Sequence, residues 1–252
     1  MLNFRKNYRM KVILLALILC TLSSCVGKEI QESIVTIAIP QVEYQAEINP
    51  ILDSFQILET PIHFDSSFFN KHTEFDFQNG NLNREIVQLL TQKFAHDEIS
   101  SRENYYVNAF LEIEEAKEAE KYLEYQENLQ SGMTEDAVCR ALGRIELGDS
   151  VGLLLWEIKY VSYAACPFYK GHHVLGTVIY KGKTISCMHI ASSESGADAP
   201  MTFESLQLAS LYKNGAMYIR SFGKTYEGDE LIENSFSIAN YQFSSTGFEL
   251  KK

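Results

Sequence analysis

Basic residues are scarce: 22 Lys and Arg stand against 33 Asp and Glu, giving a net charge of −11. A chain this acidic has no electrostatic reason to seek phosphate backbones or anionic headgroups, so nucleic acid is not an expected partner. Long hydrophobic runs are missing too. The apolar stretch from Val12 to Leu22 falls short of the roughly 20 residues that a spanning helix needs. No internal repeat or low-complexity tract occurs, and no HExxH or CxxC marks a metal or redox site. With 46% apolar residues, however, the chain can build an ordinary globular core.

The N-terminus carries the most information. Arg5, Lys6, Arg9 and Lys11 precede the apolar stretch, which is the layout of a secretory signal. Leu22-Ser23-Ser24-Cys25 closes it and resembles the bacterial lipobox. The resemblance implies acylation of Cys25, cleavage before it, and a mature chain that begins there. The plainer alternatives are an ordinary signal peptide with a coincidental cysteine, or an uncleaved anchor. Removal of residues 1–24 takes away four basic residues and no acids, leaving 228 residues at a net charge of −15. Membrane contact is then expected from lipid rather than from a basic face. Residues 25–32 read as a lipidated tether and residues 33–252 as one α+β domain. Lys28-Glu29 partly resembles the surface-export signal of Bacteroidetes lipoproteins, and Val26 gives no inner-membrane retention signal. The expected address is therefore the outer membrane.

Five cysteines bound the redox chemistry. Cys20 leaves with the signal and Cys25 takes lipid, which leaves Cys139, Cys166 and Cys187. Outside the cytoplasm a pair can oxidise, and Cys166 with Cys187 is the candidate pair, because both fall in the β-rich half; the odd count leaves at least one thiol free.

Periodicity divides the remainder. Ser33 to Ile39 alternates as a strand, and residues 41–80 are irregular with many phenylalanines. A helix is predicted from an N-cap at Asn81 or Asn83, with Ile86, Leu89, Leu90 and Phe94 at helical spacing. A second is predicted over about 105–129. Its Glu112, Glu114, Glu115, Glu118 and Glu120 read as a solvated face rather than an acidic binding surface. Thr134 caps an expected third helix carrying Ala137, Val138, Cys139 and Leu142. The helices thus occupy about 81–142. From Val151 the period becomes two. Strands flank tight turns at Lys181-Gly182-Lys183 and Asn214-Gly215, with a last turn near Gly247. The expected architecture is a helical N-terminal half packed on an antiparallel β-meander of about six strands, over about 151–250.

Three segments of this second half are similar in layout to a group of uncharacterised lipoproteins from Bacteroidetes. They are the turn-centred Ile179 to Ile185, the polar Ser192 to Pro200 leading into Phe203, and the closing Tyr241 to Phe248. The resemblance covers roughly residues 143–250. It implies a β-meander and an envelope location, and brings no activity with it.

The best chemical constellation is His172, His173, Cys187 and His189. Cys187 and His189 are two apart on one strand and share a face. A three-residue turn at 181–183 would set 175 opposite 189 and put His173 diagonal to His189. His173, Cys187 and His189 would then offer a sulfur and nitrogen set suited to zinc, as an alternative to the Cys166–Cys187 disulfide. Structural roles are the preferred explanation of these residues, and metal binding is the minority reading. Cys166, Cys187 or a serine of Ser192-Ser193-Glu194-Ser195 could serve as nucleophile, but none sits in a motif, and no catalytic residue is assigned. Tyr160, Tyr163, Phe168 and Tyr169 form an aromatic cluster that suits a binding surface or a core. No cofactor is expected beyond lipid on Cys25. The preferred reading is a non-enzymatic binding or interaction module with an envelope protein partner. The alternative is a metal- or cysteine-dependent hydrolase on residues 166–189.

Overall fold

A computed structural model describes residues 49–71, 77, 80–92, 101–148, 150–163 and 166–251. The signal segment, Cys25, the tether and the expected strand Ser33–Ile39 lie outside the described residues. A 3-10 turn at Asn49–Ser54 leads to β1 (Ile62–Phe64) and α1 (Ser66–Lys71). Then come α2 (Arg84–Thr91), α3 (Ser101–Glu118) and α4 (Tyr122–Glu127). Eight strands follow without interruption: β2 (Thr134–Gly148), β3 (Val151–Ser162), β4 (Phe168–Tyr180), β5 (Lys183–Asp198), β6 (Met201–Leu211), β7 (Ala216–Glu227), β8 (Glu230–Ser244) and β9 (Gly247–Lys251). They pair antiparallel in chain order, and β1 adds to β6 to make a nine-stranded sheet.

This corrects the expected α+β architecture with a helical N-terminal half. Strand outweighs helix, 58% against 21%, and the sheet begins at Thr134 rather than near 151. The expected third helix is β2. Ala137, Val138 and Cys139 pair with Tyr160, Lys159 and Ile158 of β3, and tertiary pairing overrides a short apolar run that fits either period. The expected helix over 105–129 divides into α3 and α4, with Glu120 in the left-handed region at φ 58° between them. Asn83 does cap α2: its side chain accepts from the Ile86 amide at 3.0 Å.

The β4–β5 hairpin turns on two residues, Lys181 at φ 50° and Gly182 at φ 74°, the conformation that fits right-handed strand twist. A bulge between Val178 and Ile179 restores one residue of register, so Leu175 faces His189 as the sequence predicts for a three-residue turn. Strand β5 runs on to Asp198, so most of the polar stretch from Ser192 to Pro200 is strand.

Two apolar clusters hold the sheet. One lies under the helices, where Val87, Leu90, Val107, Phe110 and Ile113 meet Leu154, Trp156 and Ile158 of β3. The other joins Ile145 of β2 to Phe243 of β8 through Leu155, Val174, Leu211 and Met217. Six strand spacings separate β2 from β8, roughly 29 Å in a flat sheet. The meander nevertheless coils back on itself: Leu147 of β2 lies against Gly215 in the β6–β7 turn, and Ser186 of β5 lies against Gly247 at the start of β9. Helix α2 is fastened at its C-terminal end. Thr184 donates to Leu89 O (3.0 Å) and Thr177 to Leu90 O (3.1 Å), which satisfies two carbonyls that the helix leaves open. Among the described residues, no helix is long and apolar enough to cross a membrane.

Candidate functional site

Under α3 a chain of polar side chains crosses five strands. Tyr106 of α3 and Tyr160 of β3 both donate to Glu194 Oε1, at 3.0 and 2.9 Å, and their rings stack. His173 Nε2 lies 3.3 Å from the Tyr160 hydroxyl, and His173 Nδ1 lies 3.0 Å from His189 Nε2. Gln207 Nε2 stands 3.4 Å from His189 Nδ1. The direction of the chain follows from one fixed point. Gln207 Nε2 donates to the Ile190 carbonyl at 3.0 Å, and Gln207 Oε1 accepts from Ser221 at 3.0 Å, which sets the amide. His189 Nδ1 therefore accepts and its proton sits on Nε2. That proton is directed at His173 Nδ1, so the His173 proton sits on Nε2 and faces Tyr160. Both tautomers are assigned from the network. Burial, and then the neighbouring Glu194 carboxylate, push the Tyr160 phenol far above its usual pKa.

The structure thus brings His173 and His189 together as the sequence suggests, but not as part of a trio with Cys187. Cys187 sits one side-chain repeat further along β5, opposite Thr177 and within the cluster under the helices. Burial pushes its thiol up to about 12. Among the described residues, no group of three or more His, Cys, Asp and Glu side chains is placed to hold a metal. Cys166 is an exposed free thiol, and Cys139 and Cys187 are buried free thiols, so the Cys166–Cys187 bridge is not made. His172 points away from His173, to the other side of β4. There its Nε2 is 2.7 Å from Glu157 Oε2, Lys159 lies 3.9 Å from the same carboxylate, and Phe69 meets its ring edge-on. Glu157 and Lys159 are almost fully buried, so each charge offsets part of the cost of burying the other.

The aromatic cluster read from the sequence separates. Tyr160 is core, Tyr163 is exposed, and Tyr169 stands against Phe203 over Gly196. The acidic residues of α3 include a solvated ion-paired set, with Arg84 at 2.8 Å from Glu115 and 3.2 Å from Glu118. Sequence reasoning missed Tyr106, Glu157, Glu194 and Gln207. Glu194 meets Tyr106 from 88 positions away, and no local pattern carries that distance.

Two surface features are open to a partner. A groove of 610 Å³ is lined by Ser193, Glu204, Leu206, Phe222 and Lys224 among others. Beside it, β8 is exposed along most of its length. Strand β9 pairs only with Asn240–Ser244, so among the described residues no strand covers the outer edge of residues 230–239. Leu231, Ile232, Phe236 (59% exposed) and Ile238 (62%) stand in solvent there, with Phe222 and Tyr218 of β7 behind them. Phe222 and Phe236 pair across the strands at 5.0 Å.

The fold and these features define a coiled antiparallel meander with a helical cover, a largely buried His–Tyr–Glu chain beneath it whose Glu194 also lines the groove, and a β8 edge left unpaired over residues 230–239 among the described residues. No protein-family model matches the chain, and no curated protein or solved structure matches it either.

Proposed function

We propose that this protein is a lipid-anchored interaction module of the bacterial envelope, held at the outer membrane by acyl chains on Cys25. It works by non-covalent contact with a protein partner. The open, apolar edge of β8 carries the reading. An uncovered strand is a template for pairing, and soluble proteins blunt such edges with lysine, proline or a covering element. Residues 230–239 contain neither Lys nor Pro; Glu230, Glu233 and a bulge at Ile232 are the blunting features present, and four exposed large apolar side chains stand among them. A contiguous apolar patch on a single chain marks an interaction site. Strand addition supplies the chemistry: main-chain hydrogen bonds give affinity, and alternate side chains give selectivity.

The alternative hydrolase on residues 166–189 finds less support. A thiol pushed up to about 12 carries almost no thiolate at neutral pH, which leaves Cys187 a poor nucleophile. Cys166 Sγ accepts from the Ala199 amide at 3.1 Å and lies 4.0 Å from Asp198 Oδ1, a partner set that holds no histidine to act as its base.

The test is photo-crosslinking in intact envelopes, with a photoreactive residue at Phe236, at Ile238 or at Leu123 of α4, which is 75% exposed and apolar. Protein adducts from positions 236 and 238 but not from 123 are expected. No adduct, or equal adducts from all three, overturns the reading. For the anchor, Cys25→Ala is expected to leave the membrane pellet or to remain unprocessed. Wild-type fractionation and migration of that variant would exclude lipidation at this residue.

A further inference from the structure

We propose that the groove beside α1 binds a small amphipathic anion, one apolar body that ends in a single carboxylate or phosphate. The register of four strands builds the site. Lys170, Ser195, Glu204 and Lys224 stand opposite one another across β4, β5, β6 and β7, so their side chains form one row on one face. Two residues along each strand, Ser193, Leu206 and Phe222 make a second row on that face, and Leu208 follows in a third. Phe69 of α1, which packs edge-on against His172, adds an apolar wall. Glu194 enters the lining through its main chain, because its carboxylate turns to Tyr160 on the opposite face.

Charge selects the ligand. The chain carries −11 overall, yet across these rows Lys170, Lys224 and Arg220 stand against Glu204 alone. The neighbouring titratable groups are committed elsewhere. His172, at the buried end of the second row, is held by Glu157, and Asp65 ahead of α1 accepts from Ser67 and from the Phe68 amide. Lys170, Glu204 and Lys224 are exposed, and among the described residues no ion pair engages them. The two lysines are three strand spacings apart, roughly 14 Å, and their long stems let both ammonium groups reach one head group between them. Ser195 offers that head group a hydroxyl donor.

The second and third rows supply the apolar half. From Glu204 to Leu208 is four residues of strand, about 13 Å, the reach of an extended chain of about ten carbons. A volume of 610 Å³ falls in the range of small-ligand sites, and apolar walls with a few placed polar groups are their usual make-up. A neutral amphiphile gains nothing from the lysines, and a fully polar anion gains nothing from Leu206 and Phe222. Glu204 opposes the anion and so limits affinity. The site lies apart from the outer edge of β8 and does not depend on what occupies that edge.

Photoaffinity labelling in envelopes of cells making the full-length chain tests this, with a diazirine-bearing dodecanoate as probe. Adducts are expected around Leu206 and Phe222 and not at Leu123, the exposed apolar residue of α4. The primary amide of the probe, which has no charge, is expected to label about five-fold less. Lys170→Gln combined with Lys224→Gln should lower labelling about five-fold, and Glu204→Gln should raise it. Arg220→Gln removes the same charge outside the groove and should leave labelling within about two-fold of wild type. Unlabelled dodecanoate and dodecyl phosphate are both expected to compete, and the stronger competitor identifies the head group. Equal labelling at Leu123, equal labelling by the amide, or unchanged labelling of the double lysine variant overturns the proposal.

Discussion

Tyr160 and Glu194 meet across an intervening strand, with the phenol hydroxyl 2.9 Å from the carboxylate. The residue between them is Gly171, which pairs with Tyr160 on one side and Glu194 on the other. A Cβ at that position would strike the Tyr160 ring and hydroxyl. The missing side chain is what lets a β3 phenol lie over β4 and reach β5. Gly171→Ala is therefore expected to lower unfolding free energy by about 1–3 kcal/mol, the usual result of overpacking. Urea unfolding monitored at Trp156 measures it, and a midpoint equal to wild type would show that the ring has another place to go.

Thr177 does two jobs, accepting from Trp156 Nε1 at 3.1 Å and donating to Leu90 O at 3.1 Å. Thr177→Val keeps the shape and removes both bonds at a fully buried position. A loss of about 1–3 kcal/mol is expected from buried groups left unsatisfied. Faster exchange of the α2 amides should accompany it, since the helix loses a tie at its C-terminal end. Unchanged stability together with unchanged exchange would contradict the fastening role.

Thiol accessibility separates the three described cysteines. Cys166 is exposed, whereas Cys139 and Cys187 are buried, and burial raises both of their thiol pKa values. In native protein at pH 8, iodoacetamide is expected to modify Cys166 alone. All three should react in 8 M urea. Modification of Cys187 at the native-state rate of Cys166 would refute the sealed position beneath the helices.

Asp136 gives a pH-dependent prediction with a definite sign. Desolvation raises its carboxyl pKa against the opposing pull of Lys117, so the fold favours the protonated form. The wild-type protein therefore loses stability as pH rises from the unfolded-state value, about 3.9, through the raised folded-state value. Asp136→Asn removes that loss and keeps an acceptor for the Ala137 amide. The variant is expected to be more stable than wild type at pH 7 and equal to it at pH 3. A difference that persists unchanged at pH 3 would point to another cause.

Local chemistry was legible where it acts locally. Asn83 before an apolar run marked the start of α2, and Asn214-Gly215 marked the β6–β7 turn. The failures share a cause. Strand β2 has Ala137, Val138 and Cys139 buried in succession, so the alternation that distinguishes strand from helix is absent. Bulges at Val174/Leu175 and Val178/Ile179 shift register in β5 without a sequence signature, which kept the His173–His189 contact from being fixed in advance. Glu194 stood in a polar stretch with nothing local to mark it, because its two tyrosine partners come from α3 and β3. The exposed side of β8 was hidden for the same reason. Ile232, Phe236 and Ile238 look like core residues until the neighbouring strand is found to stop at Asn240.

The outer edge of β8 is expected to be occupied when the protein is at its membrane. Hydrogen–deuterium exchange of the lipidated chain in native membranes reads this directly, through the amides of residues 231–239 that point away from β7. These amides are expected to be protected in the membrane and to exchange freely after the protein is purified and diluted into detergent. Exchange as fast in the membrane as at the exposed Lys213-Asn214 turn would contradict it.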